Sequence, residues 1–157
     1  MRHPRVTLRE ATYRYRVRVY YEDTDAGGIV YHANYLRFAE RARTEAMRES
    51  GATHAEMNAE AGLVFVVHRA ELDYWAPARI DDSLIVLTRL HSLRPASVII
   101  EQSFVREQAP EAALADLRVM LACASLTDMR PARIPPRWRV ALAGSAGAAG
   151  TDGPGAG

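Results

Sequence analysis

Asp25 is followed by Ala26, Gly27 and Gly28, then by Ile29-Val30-Tyr31-His32, immediately ahead of a segment with helical spacing. The first turn of a helix presents unpaired backbone N–H groups and a partial positive charge. Such an end can hold the oxygen of a polarised carbonyl as readily as a phosphate. A glycine pair just ahead lets a substrate approach the backbone closely. Asp25 supplies a carboxylate, and His32 and Tyr21 supply groups that orient water or substrate. These are the parts for acyl transfer: an oxyanion site with a base or nucleophile beside it. The competing reading is turn chemistry, in which Asp25 only satisfies loop amides and His32 is a packed histidine. If His32 lies in the first helical turn, the local field favours its neutral form.

Other chemistries are poorly represented. There is no Gly-x-Ser-x-Gly elbow, no His-Glu-x-x-His, no clustered Cys/His set and no Gly-rich phosphate loop. No metal or tightly bound cofactor is implied. The single cysteine, Cys123, rules out a disulfide framework, and its apolar run Val119–Leu126 marks it as a buried, inert thiol. Asp81-Asp82 is a turn doublet rather than a carboxylate pair, because adjacent side chains point apart. A net charge of +1 makes no case for nucleic acid. Every basic residue is Arg, which suits phosphate-bearing ligands. No apolar run reaches the length a bilayer demands, and residues 1–19 lack the apolar stretch of a signal peptide, so a cytoplasmic protein is expected.

The elements that must position these residues follow from periodicity. A chain of 157 residues fits one domain. Thr12–Glu22 alternates with period two, with Tyr13, Tyr15, Val17, Val19 and Tyr21 on one face and Arg14, Arg16 and Arg18 on the other. A helix is expected within Tyr31–Ser50, ended by Gly51, burying a stripe of Leu36, Ala39, Ala42, Ala46 and Met47 with Phe38 at its shoulder. Glu40–Arg43, Arg41–Glu45 and Glu45–Arg48 are expected to pair on its wet side. Thr53 and Glu56 have the spacing of a capping box, so a short helix should run to Ala61 and stop at Gly62. Strands follow over Leu63–Trp75, Ser83–Leu93, Ser97–Gln108 and Leu114–Asp128, with a hairpin at Pro110. Pro131, Pro135 and Pro136 exclude further ladder, leaving residues 129–142 over the surface.

The expected organisation is a lead-in over 1–11, one domain over 12–142, and a disordered Gly/Ala-rich tail over 143–157. One strand, two helices and four mostly antiparallel strands make an α+β fold with a sheet wrapped on a small-residue helix. Such a sheet has an exposed edge, and pairing with a second copy is the usual remedy.

The run Val19-Tyr-Tyr-Glu-Asp-Thr-Asp-Ala-Gly-Gly-Ile-Val-Tyr-His-Ala-Asn-Tyr-Leu36, continuing through Glu40-Arg-Ala-Arg-Thr-Glu45, resembles the hallmark segment of the Tol–Pal-associated acyl-CoA thioesterases. These belong to the 4-hydroxybenzoyl-CoA thioesterase group of hotdog proteins. Asp73-Tyr-Trp-Ala-Pro-Ala-Arg-Ile-Asp-Asp82 resembles the strand and turn downstream in the same family. The resemblance implies a hotdog fold, a five-stranded antiparallel sheet wrapped around one long central helix. It also implies a homodimer or homotetramer with the site where protomers meet. The family's catalytic Asp falls on Asp25, its carbonyl-polarising amide on His32, and an accompanying Tyr and His on Tyr21 and His32. Gly28, Val30 and Tyr35 around the helix entrance, with Phe65 and Val66, become substrate-binding candidates, although Tyr35 is most simply a packing residue. Arg94 and Ser97 are the nearest matches to residues that hold the CoA phosphates, with Pro95-Ala96 standing where some relatives carry another basic residue.

The implied activity is hydrolysis of short-chain aliphatic or aromatic acyl-CoA, with Asp25 as nucleophile or general base. CoA enters only as part of the substrate. The alternative is a non-catalytic hotdog protein of the Tol–Pal system that binds acyl carrier protein and phospholipid-synthesis enzymes. A hotdog hydratase acting on enoyl-CoA is a third reading.

Overall fold

The computed structural model describes residues 13–145. The expected lead-in and the tail beyond residue 145 lie outside the described residues. In chain order the elements are β1 (Tyr13–Arg18), α1 (Asn34–Glu49), α2 (His54–Ala61), β2 (Leu63–Tyr74), β3 (Ser83–Leu93), β4 (Ser97–Arg106), β5 (Ala109–Ser125) and α3 (Pro136–Ser145). The strands form one five-stranded sheet in the order β1-β3-β4-β5-β2. Every neighbouring pair is antiparallel.

The sheet wraps α1. Tyr35, Phe38, Ala39, Ala42, Ala46 and Met47 are buried along the helix. All of these but Ala46 share one core cluster with Val86, Val98, Phe104, Leu117, Val119 and Leu121 of the central strands. Ala39 and Ala42 have no accessible surface, so the helix axis lies close against the strands. Each fully buried large apolar side chain contributes about 1.5–3 kcal/mol of transfer free energy. This is the hotdog arrangement, an α+β fold as the element order predicts.

Sequence signals set several boundaries. Thr53 accepts the Glu56 N–H at 3.1 Å while Glu56 accepts the Thr53 N–H at 3.0 Å. The α2 helix they open ends at Gly62 in the left-handed region. Arg14, Arg16 and Arg18 lie on the wet face of β1, as alternation demands.

Four expectations are corrected. The first strand stops at Arg18, and a 3-10 turn over Tyr21–Asp23 follows. Asp23 accepts the Tyr20 N–H at 2.8 Å within that turn, and Tyr21 is left 83% exposed rather than facing the core. Leu36 is 41% exposed. Its place in the stripe belongs to Arg43, which is buried and donates to Gln102 instead of pairing with Glu40 on the surface. The β4–β5 turn falls at Glu107-Gln108, and Pro110 lies inside β5 beside the register shifts at Phe104–Arg106. Such irregularities tolerate a missing N–H.

The last correction is α3. Pro136 takes the first helical position, where its missing N–H costs nothing. The helix buries Trp138, Ala141 and Leu142, with Trp138 only 4% exposed, and runs through Ser145. The Trp138 indole N–H donates to the Thr53 carbonyl at 3.0 Å, and Arg137 reaches Glu56, Glu60 and the Gly51 carbonyl.

Candidate functional site

The segment between β1 and α1 folds into a small hairpin. Thr24 and Val30 pair as an antiparallel bridge, Asp25 N–H donates to Ile29 O at 2.9 Å, and Gly28 N–H donates to Asp25 O at 3.0 Å. Gly28 closes the loop at φ +76°, a conformation that a side chain disfavours. A three-residue loop ending in a left-handed glycine is a standard hairpin closure. Asp25 therefore sits where the hairpin turns. Its Oδ1 accepts the Gly27 N–H at 2.8 Å, and among the described residues no cation pairs with the carboxylate. The side chain is exposed in the protomer.

The hairpin is anchored on both sides. Val30, buried, donates its N–H to Ala78 O at 2.8 Å, and Ile29 bridges Arg79. The Asp23 carbonyl accepts both Tyr31 N–H, at 2.9 Å, and the Asn34 side-chain amide, at 2.8 Å. The partner segment is held in turn by Asp82, which accepts the Arg79 N–H at 2.9 Å and pairs with Arg106. Asp81 adopts φ 68°. The acidic doublet is turn chemistry, as its adjacency suggests.

His32 lies in the turn just ahead of α1, not in the first helical turn, and is exposed. Its ring packs on Tyr31 with centroids 4.4 Å apart. Its carbonyl accepts the Tyr74 hydroxyl at 2.7 Å. The N–H groups of Asn34 and Leu36 are taken by the Tyr31 and Ala33 carbonyls, but among the described residues the His32 N–H has no acceptor. Asp25 and His32 thus stand on the two legs of one hairpin, on either side of the Asp23–Tyr31 bond. Tyr21 stands in the preceding turn and points to solvent.

The remaining candidates divide. Tyr35 is buried, its hydroxyl accepts the Ala78 N–H at 3.3 Å, and its ring meets Tyr74 and Phe104 edge-on. Burial pushes its phenol pKa upward. It supports the segment beneath Val30 from inside the core. Phe65 and Val66 are adjacent on β2 and face opposite ways. Phe65 lines a cavity of about 20 Å³ with Met47, His54 and Leu142. A larger cleft, about 440 Å³, opens between α1 and β2 and is lined by Leu36, Glu40, Val67 and Ala70 among others. Arg94 and Ser97 sit together, with Arg94 N–H donating to Ser97 O at 2.9 Å. They occupy the β3–β4 turn, whereas the hairpin adjoins the start of β3. An eleven-residue strand, roughly 35 Å long if straight, lies between them within one protomer.

Sequence reasoning missed Asp23, Asn34 and Tyr74, which hold the hairpin and the His32 turn. A signal existed for Asn34, a polar residue at a helix start, where such side chains bond nearby backbone. Tyr74 gave none, since its partner lies 42 residues away. Among the described residues no group of His, Cys, Asp and Glu is placed to hold a metal. Among the described residues no helix is long and apolar enough to cross a membrane.

A family model described as the thioesterase-like superfamily matches residues 7–142. The chain is 42% identical over 123 residues to the acyl-CoA thioester hydrolase YbgC of Escherichia coli O157:H7, covering 78% of this chain and 90% of that protein. It superposes on a probable thioesterase from Bartonella henselae with a TM-score of 0.73 and 35% identity, covering 80% of this chain and all of that one. A 1,4-dihydroxy-2-naphthoyl-CoA thioesterase from Synechocystis superposes with a TM-score of 0.78 over 84% of this chain and 96% of that one, and at 21% identity speaks for the fold alone.

Proposed function

Because the chain belongs to the thioesterase-like superfamily, we propose that it is an acyl-CoA thioesterase acting on short aliphatic or aromatic acyl groups, with Asp25 as nucleophile or general base. The observation that carries the reading is an unneutralised Asp25 carboxylate where the anchored hairpin turns and, among the described residues, a His32 amide without an acceptor where that hairpin leads into α1.

In the general-base form, Asp25 takes a proton from water as the water oxygen bonds to the thioester carbon. Charge builds on the carbonyl oxygen and is met by the His32 N–H at the positive end of α1. The carbonyl re-forms as the C–S bond breaks, and the thiolate leaves and is protonated. In the nucleophilic form Asp25 bonds to the carbon first, the C–S bond breaks as the thiolate leaves and is protonated, and water then cleaves the resulting anhydride to the free acid and the Asp25 carboxylate. A single oxyanion donor supplies about 3–4 kcal/mol. A millionfold acceleration needs roughly 8 kcal/mol, so Asp25 and substrate positioning must supply the remainder.

The edge strand β2, which among the described residues pairs only with β5, supports assembly as a homodimer or a tetramer of dimers in which a second copy covers the hairpin. The CoA nucleotide then meets Arg94 and Ser97 from another protomer, given their distance from Asp25 in their own. A cytoplasmic setting, and acyl carrier protein and phospholipid-synthesis enzymes as partners in the Tol–Pal system, rest on the resemblance of the Val19–Glu45 segment alone.

The test is release of free thiol from a panel of short, long and aromatic acyl-CoAs. Turnover of short or aromatic members supports the reading, and tight binding without turnover contradicts it.

A further inference from the structure

Arg43 is the one charged side chain in the buried stripe of α1, only 9% exposed. Its Nη1 donates to Gln102 Oε1 at 2.8 Å. Gln102 is fixed in that orientation because its amide hydrogens go to Ala39 O and Thr88 Oγ1, both at 2.9 Å. Among the described residues no carboxylate lies within ion-pair distance of Arg43. The nearest opposing influence is Glu40, which spends a carboxylate oxygen on the Thr44 hydroxyl at 2.8 Å. A guanidinium has five N–H donors, and among the described residues no buried side-chain nitrogen lacks a partner, so the donors that Gln102 does not take up remain accessible to a ligand.

This side chain lines the cleft between α1 and β2. The cleft begins at Leu36, in the first turn of α1 beside the His32 turn, and reaches Arg43 about 10 Å further along the helix. Its walls are apolar at Leu36, Val67, Ala70, Leu117 and Val119. The charges on it are Arg37, Arg41 and Arg43 against Glu40, a surplus of positive charge. A plain alkyl chain would fill the walls and leave the buried guanidinium as it is. An occupant that is apolar along its length and anionic at its end satisfies both.

We propose that this cleft takes a short aliphatic acyl group ending in a carboxylate, and that Arg43 selects it by binding that carboxylate. The substrate class is the monothioester of a dicarboxylic acid. This rests on the thioesterase reading above and narrows it. The charge-assisted, two-pronged contact a guanidinium makes with a carboxylate supplies the discrimination.

The experiment compares matched pairs, glutaryl with pentanoyl and adipyl with hexanoyl, as thioesters of both CoA and N-acetylcysteamine. The carboxylate-ended member should have a kcat/KM at least tenfold higher in each pair. Arg43→Met should lower that ratio at least tenfold, and Arg43→Lys should lower it less. The N-acetylcysteamine series carries no phosphate, so a preference that survives there belongs to the acyl carboxylate. A preference that vanishes there does not belong to the acyl carboxylate alone and overturns the proposal. Equal or inverted ratios in the wild-type protein, with hydrolysis intact, overturn it while leaving the thioesterase reading standing. If the wild-type protein hydrolyses none of the pairs, both fail. Inhibition by free glutarate against pentanoate reads the same preference without any variant, and equal inhibition overturns it.

Discussion

The Tyr74 hydroxyl, at the end of β2, donates to the carbonyl of His32 at 2.7 Å and so ties the last residue of a long edge strand to the turn that opens α1. That carbonyl and the His32 N–H belong to successive peptide groups, so the bond braces the turn that carries the amide proposed to meet the thioester oxygen. Burial raises the Tyr74 pKa, which keeps the phenol protonated and donating across the neutral range. Tyr74→Phe should lower kcat by roughly fivefold, in line with about 1 kcal/mol for one hydrogen bond, with KM changed less. Steady-state kinetics on one acyl-CoA checks it. An unchanged kcat would show that the turn holds its shape without Tyr74.

The two glycines after Asp25 predict different failures. A Cβ on Gly28 meets nothing within 4 Å, but the residue stands at φ +76°. Gly28→Ala should cost about 1–2 kcal/mol of backbone strain, a fall of a few degrees in Tm. A Cβ on Gly27 would lie 3.2 Å from Asp25 Oδ1. Gly27→Ala should leave Tm nearly unchanged and reduce activity by displacing the carboxylate. Thermal melts beside thiol-release rates separate the two, and identical profiles would contradict the hairpin geometry.

Much of this architecture was legible in local patterns. Thr53, Glu56 and Gly62 define α2 because capping is a short-range affair, and the alternation of Arg14, Arg16 and Arg18 marks the wet side of β1. Asp25 and the glycine pair stand out for the same reason. What local pattern could not give were relations set by the third dimension. Tyr21 continues the parity of β1, but the Asp23 side chain turns the chain before that parity applies. Arg43 looks like a surface partner of Glu40 until Gln102 and Thr88 from β4 and β3 provide a polar niche beneath it. Prolines before α3 read as a break, whereas Pro136 begins the helix. Arg94 and Ser97 match by type yet lie at the wrong end of β3 to meet Asp25 in the same protomer.

Trp138 measures whether α3 belongs to the core. The side chain is buried and bonded to Thr53 O. Trp138→Ala should destabilise by about 3–5 kcal/mol, lowering Tm by roughly 10 °C or more. Differential scanning calorimetry reads this directly. A shift of only a degree or two would return residues 129–142 to the role of a surface strap.

His54 sets a pH dependence. Burial pushes its pKa below the ordinary value of about 6.5, and Arg43 and Arg48 act the same way against Glu40. Below pH 6.5 the unfolded chain takes up a proton that the folded protein refuses, so the unfolded state binds more protons and stability falls. The loss grows from pH 6.5 down to the depressed pKa and is absent above pH 6.5. Urea unfolding at pH 7.5 and 5.5 should show this loss in the wild-type protein and a smaller one in His54→Gln. Equal losses in both would rule out His54 as the source.

The most direct test of the account is the rate of thiol release by Asp25→Asn. Asparagine keeps an oxygen for the Gly27 N–H, so the hairpin should persist and the melting temperature should hold. With the carboxylate gone, kcat should fall roughly a thousandfold or more. A folded Asp25→Asn protein that releases CoA at close to the wild-type rate would contradict the account.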